Sequence, residues 1–194
     1  MIKVALTGGI GVGKSFVLNI LKDKYNFPIF SSDDCVRSLY LNEPSLISFV
    51  KSEIMSNEDK FSKSRIAEIV FNDQKKLRKL ESFIHPLVKI EREKFIDQER
   101  RKEAKTIIVE IPLLFEKNLT DQVDIVILVR ASDELQKKRV LKRPNMNEVL
   151  FNKIIKNQMD VYKKEKKSDY IIDSNDYAST VLQIENIVVN MEKK

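Results

Sequence analysis

The glycines of this chain constrain its fold more than any other feature, because all four lie within residues 8–13. They belong to GGIGVGKS at residues 8–15, which fits the phosphate-binding pattern G-x-x-x-x-G-K-[ST] at every fixed position. The apolar run IKVALT at residues 2–7 precedes this loop and is typical of a buried strand. We therefore predict a strand, a phosphate-binding loop (P-loop) and a helix over about residues 14–25.

The residue types of the loop are suited to bind a nucleoside triphosphate. Glycines let successive backbone N–H groups turn toward phosphate oxygens, and the helix N-terminus adds its positive dipole end. Lys14 supplies an ammonium group for the β- and γ-phosphates, and the Ser15 hydroxyl can join the ligands of a Mg²⁺ ion. The predicted nucleotide contacts in this segment are Gly11, Val12, Gly13, Lys14, Ser15 and Phe16.

Composition excludes several classes of protein. A chain of 194 residues, of which 42% are hydrophobic, can bury a core as one domain. No apolar run approaches the roughly 20 residues of a membrane helix, and no secretory signal pattern opens the sequence. We expect a cytoplasmic protein without a membrane partner. One cysteine and one histidine exclude an internal disulfide and argue against a zinc site.

The net charge of +6 favours anionic ligands. Basic residues alternate with acidic ones, as in KIEREK at residues 89–94, which indicates a solvated helix face more than a nucleic-acid surface. The chain has no tryptophan and no basic stripe interleaved with aromatic residues, so we expect no nucleic-acid partner.

Short apolar runs alternate with charged helical stretches, which predicts an α/β fold with a five-stranded parallel sheet flanked by helices. The predicted strands are residues 2–7, 29–31, 106–110, 124–129 and 170–173. We interpret the chain as a single P-loop domain of residues 1–194, with a core of about 1–32 and 105–194. The long segment of about 33–104 is then a helical insertion that covers the substrate.

The missing motifs narrow the choice among P-loop proteins. No glycine follows Gly13, so the chain lacks both the Asp-x-x-Gly switch of GTPases and the glycine-bearing signature of ABC-type ATPases. The guanine-reading Asn-Lys-x-Asp motif is also absent, since isoleucines follow Asn152 and Lys153. These absences favour a small P-loop kinase, which needs a base for its acceptor hydroxyl.

Asp33 is the candidate base, because it follows the second predicted strand at the sheet edge where ligands of such folds bind. The neighbouring Asp34 is the alternative candidate for this base. An equally supported alternative is that Ser32, Asp33 and Asp34 form only a helix N-cap.

Several motifs together resemble the bacterial dephospho-CoA kinase family, over residues 1 to about 175. LTGGIGVGKS at 6–15 is similar to the family's LTGGIGSGKS, and SSDDCVR at 31–37 to its D-A-D-x-x-A-R, a match that selects Asp33 over Asp34. IHPLV at 84–88 resembles the family's HP motif, and IPLLFE at 111–116 its V-P-L-L-F-E. QKKRVLKR at 136–143 resembles the lid, with Gln158 after it, and SDYIIDS at 168–174 the closing A-D-x-V-I-D-N.

The resemblance implies the last step of coenzyme A biosynthesis, in which ATP phosphorylates the ribose 3′-hydroxyl of dephospho-CoA. It implies catalytic roles for Asp33, Lys14 and Arg139, and nucleotide binding by Arg143 from a lid over about 139–158. It also implies that Asp33, Arg37 and His85 contact the substrate. The expected ligands are ATP, Mg²⁺ and dephospho-CoA, and the expected state is a monomer.

The chain departs from the family pattern at five positions. Ser31 replaces an aspartate, Phe16 a threonine, Pro144 stands within the lid, Ile154 replaces an arginine and Ser174 an asparagine.

The residue patterns alone are also consistent with purely structural roles for some of these residues. Arg139 and Arg143, four apart, could share a solvated helix face and pair with Asp133 or Glu134. His85 could be a packed residue at a proline kink. A nucleoside or nucleoside monophosphate kinase, and a nucleotide-dependent binding protein, are the alternative functions.

Overall fold

The structure is a computed structural model that describes residues 1–56, 61–144 and 146–192. Its contacts divide the chain into two compact units, one formed by Met1–Phe30 with Glu99–Lys194 and the other by Ser31–Gln98. Nine α-helices lie in the described residues. They are α1 Lys14–Tyr25, α2 Ser32–Asn42, α3 Pro44–Glu53, α4 Lys63–Asn72, α5 Gln74–Arg101, α6 Asp133–Leu141, α7 Glu148–Lys156, α8 Val161–Glu165 and α9 Tyr177–Glu192.

The first unit is built on a parallel sheet of five strands among the described residues. The strands are β1 Ile2–Thr7, β2 Ile29–Phe30, β3 Thr106–Glu110, β4 Ile125–Arg130 and β5 Tyr170–Asp173. Their order is β2-β3-β1-β4-β5, and every pair is parallel. The predicted fold class is confirmed. β2 ends one residue earlier than predicted, and β4 is shifted by one residue.

The central strand β1 lies between β3 and β4, so its carboxyl end delivers the P-loop at the middle of the sheet edge. Apolar side chains of α1 and α9 complete the core on the sheet. Leu21 of α1 and Ile184 of α9 are both 1% exposed and pack in one cluster with Leu6 and Ile127. Burial of this cluster stabilises the strand, loop and helix that form the phosphate site.

The second unit is helical and has its own core. Leu39, Leu46 and Val50 pack there with residues from α4 and α5, including Ile66 and Leu80. Leu39, Ile66 and Leu80 belong to the helically spaced apolar pattern from which the segment was predicted to be helical. None of the helices in the described part of the chain combines the length and apolarity that a bilayer crossing requires.

Candidate active site

The P-loop occupies residues 8–13, between β1 and α1, and its backbone requires glycine. Gly13 is the N-cap of α1 with φ of 93°, a left-handed conformation that side chains disfavour. Gly11 has φ of 75°, and a Cβ atom there would lie 2.4 Å from Val140 Cγ2 of α6. The loop therefore lies directly against α6, an approach that only glycine permits.

Lys14 and Ser15 open α1, where the first backbone N–H groups of a helix have no intrahelical acceptor and are suited to bind an anion. Lys14 Nζ donates hydrogen bonds to the carbonyl oxygens of Gly8 and Gly9, each at 3.0 Å. Its ammonium group is thereby held over the loop. Ser15 is exposed, so its hydroxyl fits a Mg²⁺ ion that takes its other ligands from phosphates and water.

Two glutamines hold the peptide groups of Ile10 at the tip of the loop. Gln136 Nε2, on α6, donates to the Ile10 carbonyl oxygen at 2.7 Å. The Ile10 amide donates to Gln158 Oε1, beyond α7, at 3.3 Å. Gln136, just before the predicted lid, and Gln158, at its end, therefore both contact the P-loop directly. Gln158 was identified only as part of the family resemblance, and no role was predicted for Gln136.

Arg139 lies against the P-loop and not on a solvated helix face. Its Nη1 donates to Ser174 Oγ at 3.0 Å and its Nη2 to the Ser174 carbonyl oxygen at 2.8 Å. A Cβ atom at Gly13 would lie 3.5 Å from Arg139 Nη1. The alternative in which Arg139 pairs with Asp133 or Glu134 is therefore wrong.

Arg143 does not share a helical face with Arg139, so the interpretation in which both arginines lie on one helix face is wrong. Helix α6 ends at Leu141, and Arg143 is exposed in the turn that follows. The cause is Pro144, because a proline disfavours helical backbone at the residue before it.

A buried ion pair anchors the IPLLFE segment. Lys164 Nζ lies 2.8 Å from Glu116 Oε1, and the Lys164 side chain is only 3% exposed. The Met159 amide also donates to Glu116 Oε1 at 2.8 Å. Glu116 thus fixes the residue next to Gln158, while its other oxygen, Oε2, is buried without a hydrogen-bond partner among the described residues.

Burial alone would raise the pKa of Glu116, but hydrogen bonds from Lys164 and the Met159 amide outweigh it, so the pKa lies below its ordinary value of 4.5. A carboxyl group whose pKa is lowered by folding stabilises the fold above its unfolded pKa. That contribution is lost as the pH falls through the folded pKa.

We therefore expect Glu116→Gln to lower the free energy of unfolding by about 2 kcal/mol at pH 7, because Lys164 stays buried opposite a neutral amide. The deficit relative to wild type should shrink as the pH falls below 4.5, the ordinary pKa of this group. Urea unfolding at several pH values measures it. Glu148→Gln, which removes only the exposed pair with Lys137, is the control. A deficit that stays constant with pH would contradict the assignment.

The remaining predicted residues belong to the second unit and are described within it. Ser31 is the N-cap of α2, since its Oγ accepts from the Asp34 amide at 3.3 Å, so the alternative in which residues 32–34 form the cap is wrong. Asp34 pairs with Arg37 at 3.1 Å. Asp33 lies in the same first turn with its side chain exposed.

His85 and Cys35 also lie in the second unit. His85 is exposed on α5, one residue before Pro86, so it is not the packed residue of the alternative interpretation. Burial and the nearby charge of Glu91 raise the pKa of the Cys35 thiol. A thiol of this kind is a poor nucleophile, as expected for a packing residue.

One acidic residue near the loop, Glu110, was not predicted from the sequence. Glu110 ends β3, is 1% exposed and lies in register with Leu6 of β1, just before the P-loop. The sequence signal for this residue is an acidic side chain at the end of an otherwise apolar strand.

A glycine-rich phosphate loop between the central strand and the first helix of a parallel sheet defines a P-loop nucleotide-binding protein. A sequence model of dephospho-CoA kinases matches residues 2–179. The chain belongs to the dephospho-CoA kinase family and is therefore a kinase.

Individual relatives match this chain over nearly its whole length. The dephospho-CoA kinase of Bartonella quintana is 37% identical over 193 residues, which cover 98% of each chain. The structure of a dephospho-CoA kinase from Campylobacter jejuni matches with a TM-score of 0.65 at 28% identity, covering 98% of this chain and 97% of that one. A Thermus thermophilus protein matches with a TM-score of 0.77 at 26% identity and the same coverage.

Proposed function

We propose that this kinase transfers the γ-phosphoryl group of ATP to the ribose 3′-hydroxyl of dephospho-CoA, which gives coenzyme A and ADP. The observation that carries the proposal is the family match over residues 2–179, which includes the P-loop, Asp33 and Arg139. The position of Arg139 beside Gly13 supports it, because phosphoryl transfer requires cationic groups at the phosphates.

Each residue then has a distinct task. Backbone N–H groups of Gly11, Val12 and Gly13 bind the phosphates, with Phe16 in the first turn of α1 beside the nucleotide. Lys14 moves from the Gly8 and Gly9 carbonyls to the β- and γ-phosphates. Ser15 would hold a Mg²⁺ ion whose charge offsets that of the phosphate oxygens.

The acceptor side of the reaction depends on the second unit. Asp33 orients the 3′-hydroxyl and accepts its proton as the new O–P bond forms. Arg37 and His85 bind dephospho-CoA. Arg139 and Arg143 stabilise the negative charge on the transferred phosphoryl group and on the ADP that leaves.

We also propose the organisation and setting of the enzyme. The chain acts as a single kinase domain with a core of about residues 1–32 and 105–194, and the insertion of about 33–104 covers the acceptor. Residues 139–158 form the lid. The enzyme works as a cytoplasmic monomer on a small-molecule substrate and takes no nucleic acid or membrane as partner.

Acceptor profiling tests the substrate. ADP release is measured with Mg²⁺-ATP and, separately, dephospho-CoA, adenosine, AMP, CMP and uridine, and the phosphorylated product is identified by mass. Turnover confined to dephospho-CoA supports the proposal. Preference for a nucleoside or a nucleoside monophosphate would retain the kinase fold and replace the substrate, whereas nucleotide binding without turnover would favour a binding role.

A further inference from the structure

Ser174 follows β5 and lies between Arg139 and the P-loop. The residue is only 3% exposed. Its Oγ accepts from Arg139 Nη1 at 3.0 Å and donates to the carbonyl oxygen of Val12. Its own carbonyl oxygen accepts from Arg139 Nη2 at 2.8 Å. One serine therefore binds the guanidinium group twice and the phosphate loop once.

The backbone around Ser174 is itself held in place. The Ser174 amide donates to the Arg130 carbonyl oxygen at 2.9 Å, which continues the pairing of β5 with β4. The next residue, Asn175, accepts from the Ser132 amide at 2.8 Å, and Ser132 caps α6, the helix that carries Arg139. The serine and the arginine are thus fixed on rigid elements that are also tied to each other.

The P-loop lies close to both Ser174 and Arg139. A Cβ atom at Gly13 would lie 3.1 Å from Ser174 Oγ, and Arg139 Nη1 would lie 3.5 Å from the same point. Arg139 has five N–H donors, and the two that Ser174 engages fix the plane of its guanidinium group. The remaining donors then have a defined direction relative to the loop.

We infer that Ser174 is a positioning residue, which sets the orientation of Arg139 toward the phosphates and links it to Val12 of the loop. This inference rests on the proposed function, since it acts through the role given to Arg139. Ser174 stands where the family motif closes with asparagine, and an asparagine amide also offers one acceptor and one donor group.

The test is a double-mutant cycle of Ser174→Ala and Arg139→Ala in the full chain, with kcat and the KM for ATP measured at saturating dephospho-CoA. Ser174→Ala should lower kcat about tenfold and change the KM for ATP by less than about twofold, because a misdirected arginine weakens transition-state contacts. In the Arg139→Ala background, Ser174→Ala should change kcat by less than about twofold.

Two further variants complete the design. Ser174→Asn should recover most of the lost kcat, since its amide can serve both partners. Ser168→Ala removes a hydroxyl that donates to the Lys164 carbonyl oxygen at 2.8 Å and should leave kcat unchanged. If Ser174→Ala does not fold, Ser174→Cys takes its place in the cycle, with the same outcomes.

An equal loss of kcat from Ser174→Ala in both backgrounds would overturn the inference, because the effect would not pass through Arg139. An unchanged kcat for Ser174→Ala would overturn it too. Wild-type kcat for Arg139→Ala would remove the role of Arg139 as well, whereas a wrong substrate would already be evident from the acceptor panel.

Discussion

Replacing Lys14 by alanine should lower kcat by roughly a hundredfold or more, because the variant loses the mobile cation that neutralises charge on the transferring phosphoryl group. The fold should persist, since the side chain is only partly buried and its two described hydrogen bonds go to carbonyl groups of the same loop. Initial rates of ADP formation at saturating ATP and dephospho-CoA measure the loss, and thermal unfolding checks the fold.

Lys22 provides the matched control for this prediction. It lies on the same helix, α1, but is exposed in the last turn, away from the P-loop. Lys22→Ala should therefore keep wild-type kcat. A folded Lys14→Ala enzyme with undiminished kcat would exclude Lys14 from the transition state, and an equal loss in both variants would point to general charge effects.

Asp33→Asn should also lower kcat by roughly a hundredfold or more, because the amide can hold the acceptor hydroxyl but cannot take its proton. The substitution keeps the size of the side chain. Since Ser31 and not Asp33 caps α2, we expect the melting temperature of the variant to stay close to that of wild type. Single-turnover measurements of product formation would separate this chemical step from product release.

Asp34→Asn is the variant to compare with Asp33→Asn, since Asp34 is the alternative candidate base one residue away. Asp34 pairs with the exposed side chain of Arg37, so its neutralisation should affect substrate KM more than kcat. If Asp34→Asn loses kcat while Asp33→Asn keeps it, the base is Asp34. If both keep wild-type kcat, neither carboxylate takes the proton.

The sequence predicted the P-loop and the five strands because their signals are local. The close approach of the loop to α6 allows only glycine at position 11. The motif can therefore be recognised from the sequence without knowledge of the tertiary structure. The buried strands likewise appear as short apolar runs, because both faces of a parallel sheet are covered. Only their ends were displaced, by one residue at β2 and β4.

Contacts between distant residues could not be predicted in the same way. Arg139 and Ser174 are 35 positions apart, and no local pattern shows that a serine after β5 meets an arginine on α6. The buried pair of Glu116 and Lys164 depends likewise on how the segments pack. The end of α6 at Leu141 was not predicted, although Pro144 is a local signal against helical backbone at Arg143.

The hydrogen bonds of Lys14 to Gly8 and Gly9 determine when its side chain loses conformational entropy. A freely rotating lysine gives up about 2 kcal/mol of rotamer entropy when it is fixed, and here part of that loss has occurred before a nucleotide arrives. Nucleotide binding then exchanges two carbonyl acceptors for phosphate oxygens, and the carbonyl groups must find water. Part of the ordering penalty of Lys14 is thereby moved from ligand binding to folding, while the two hydrogen bonds that it must give up are a cost of binding.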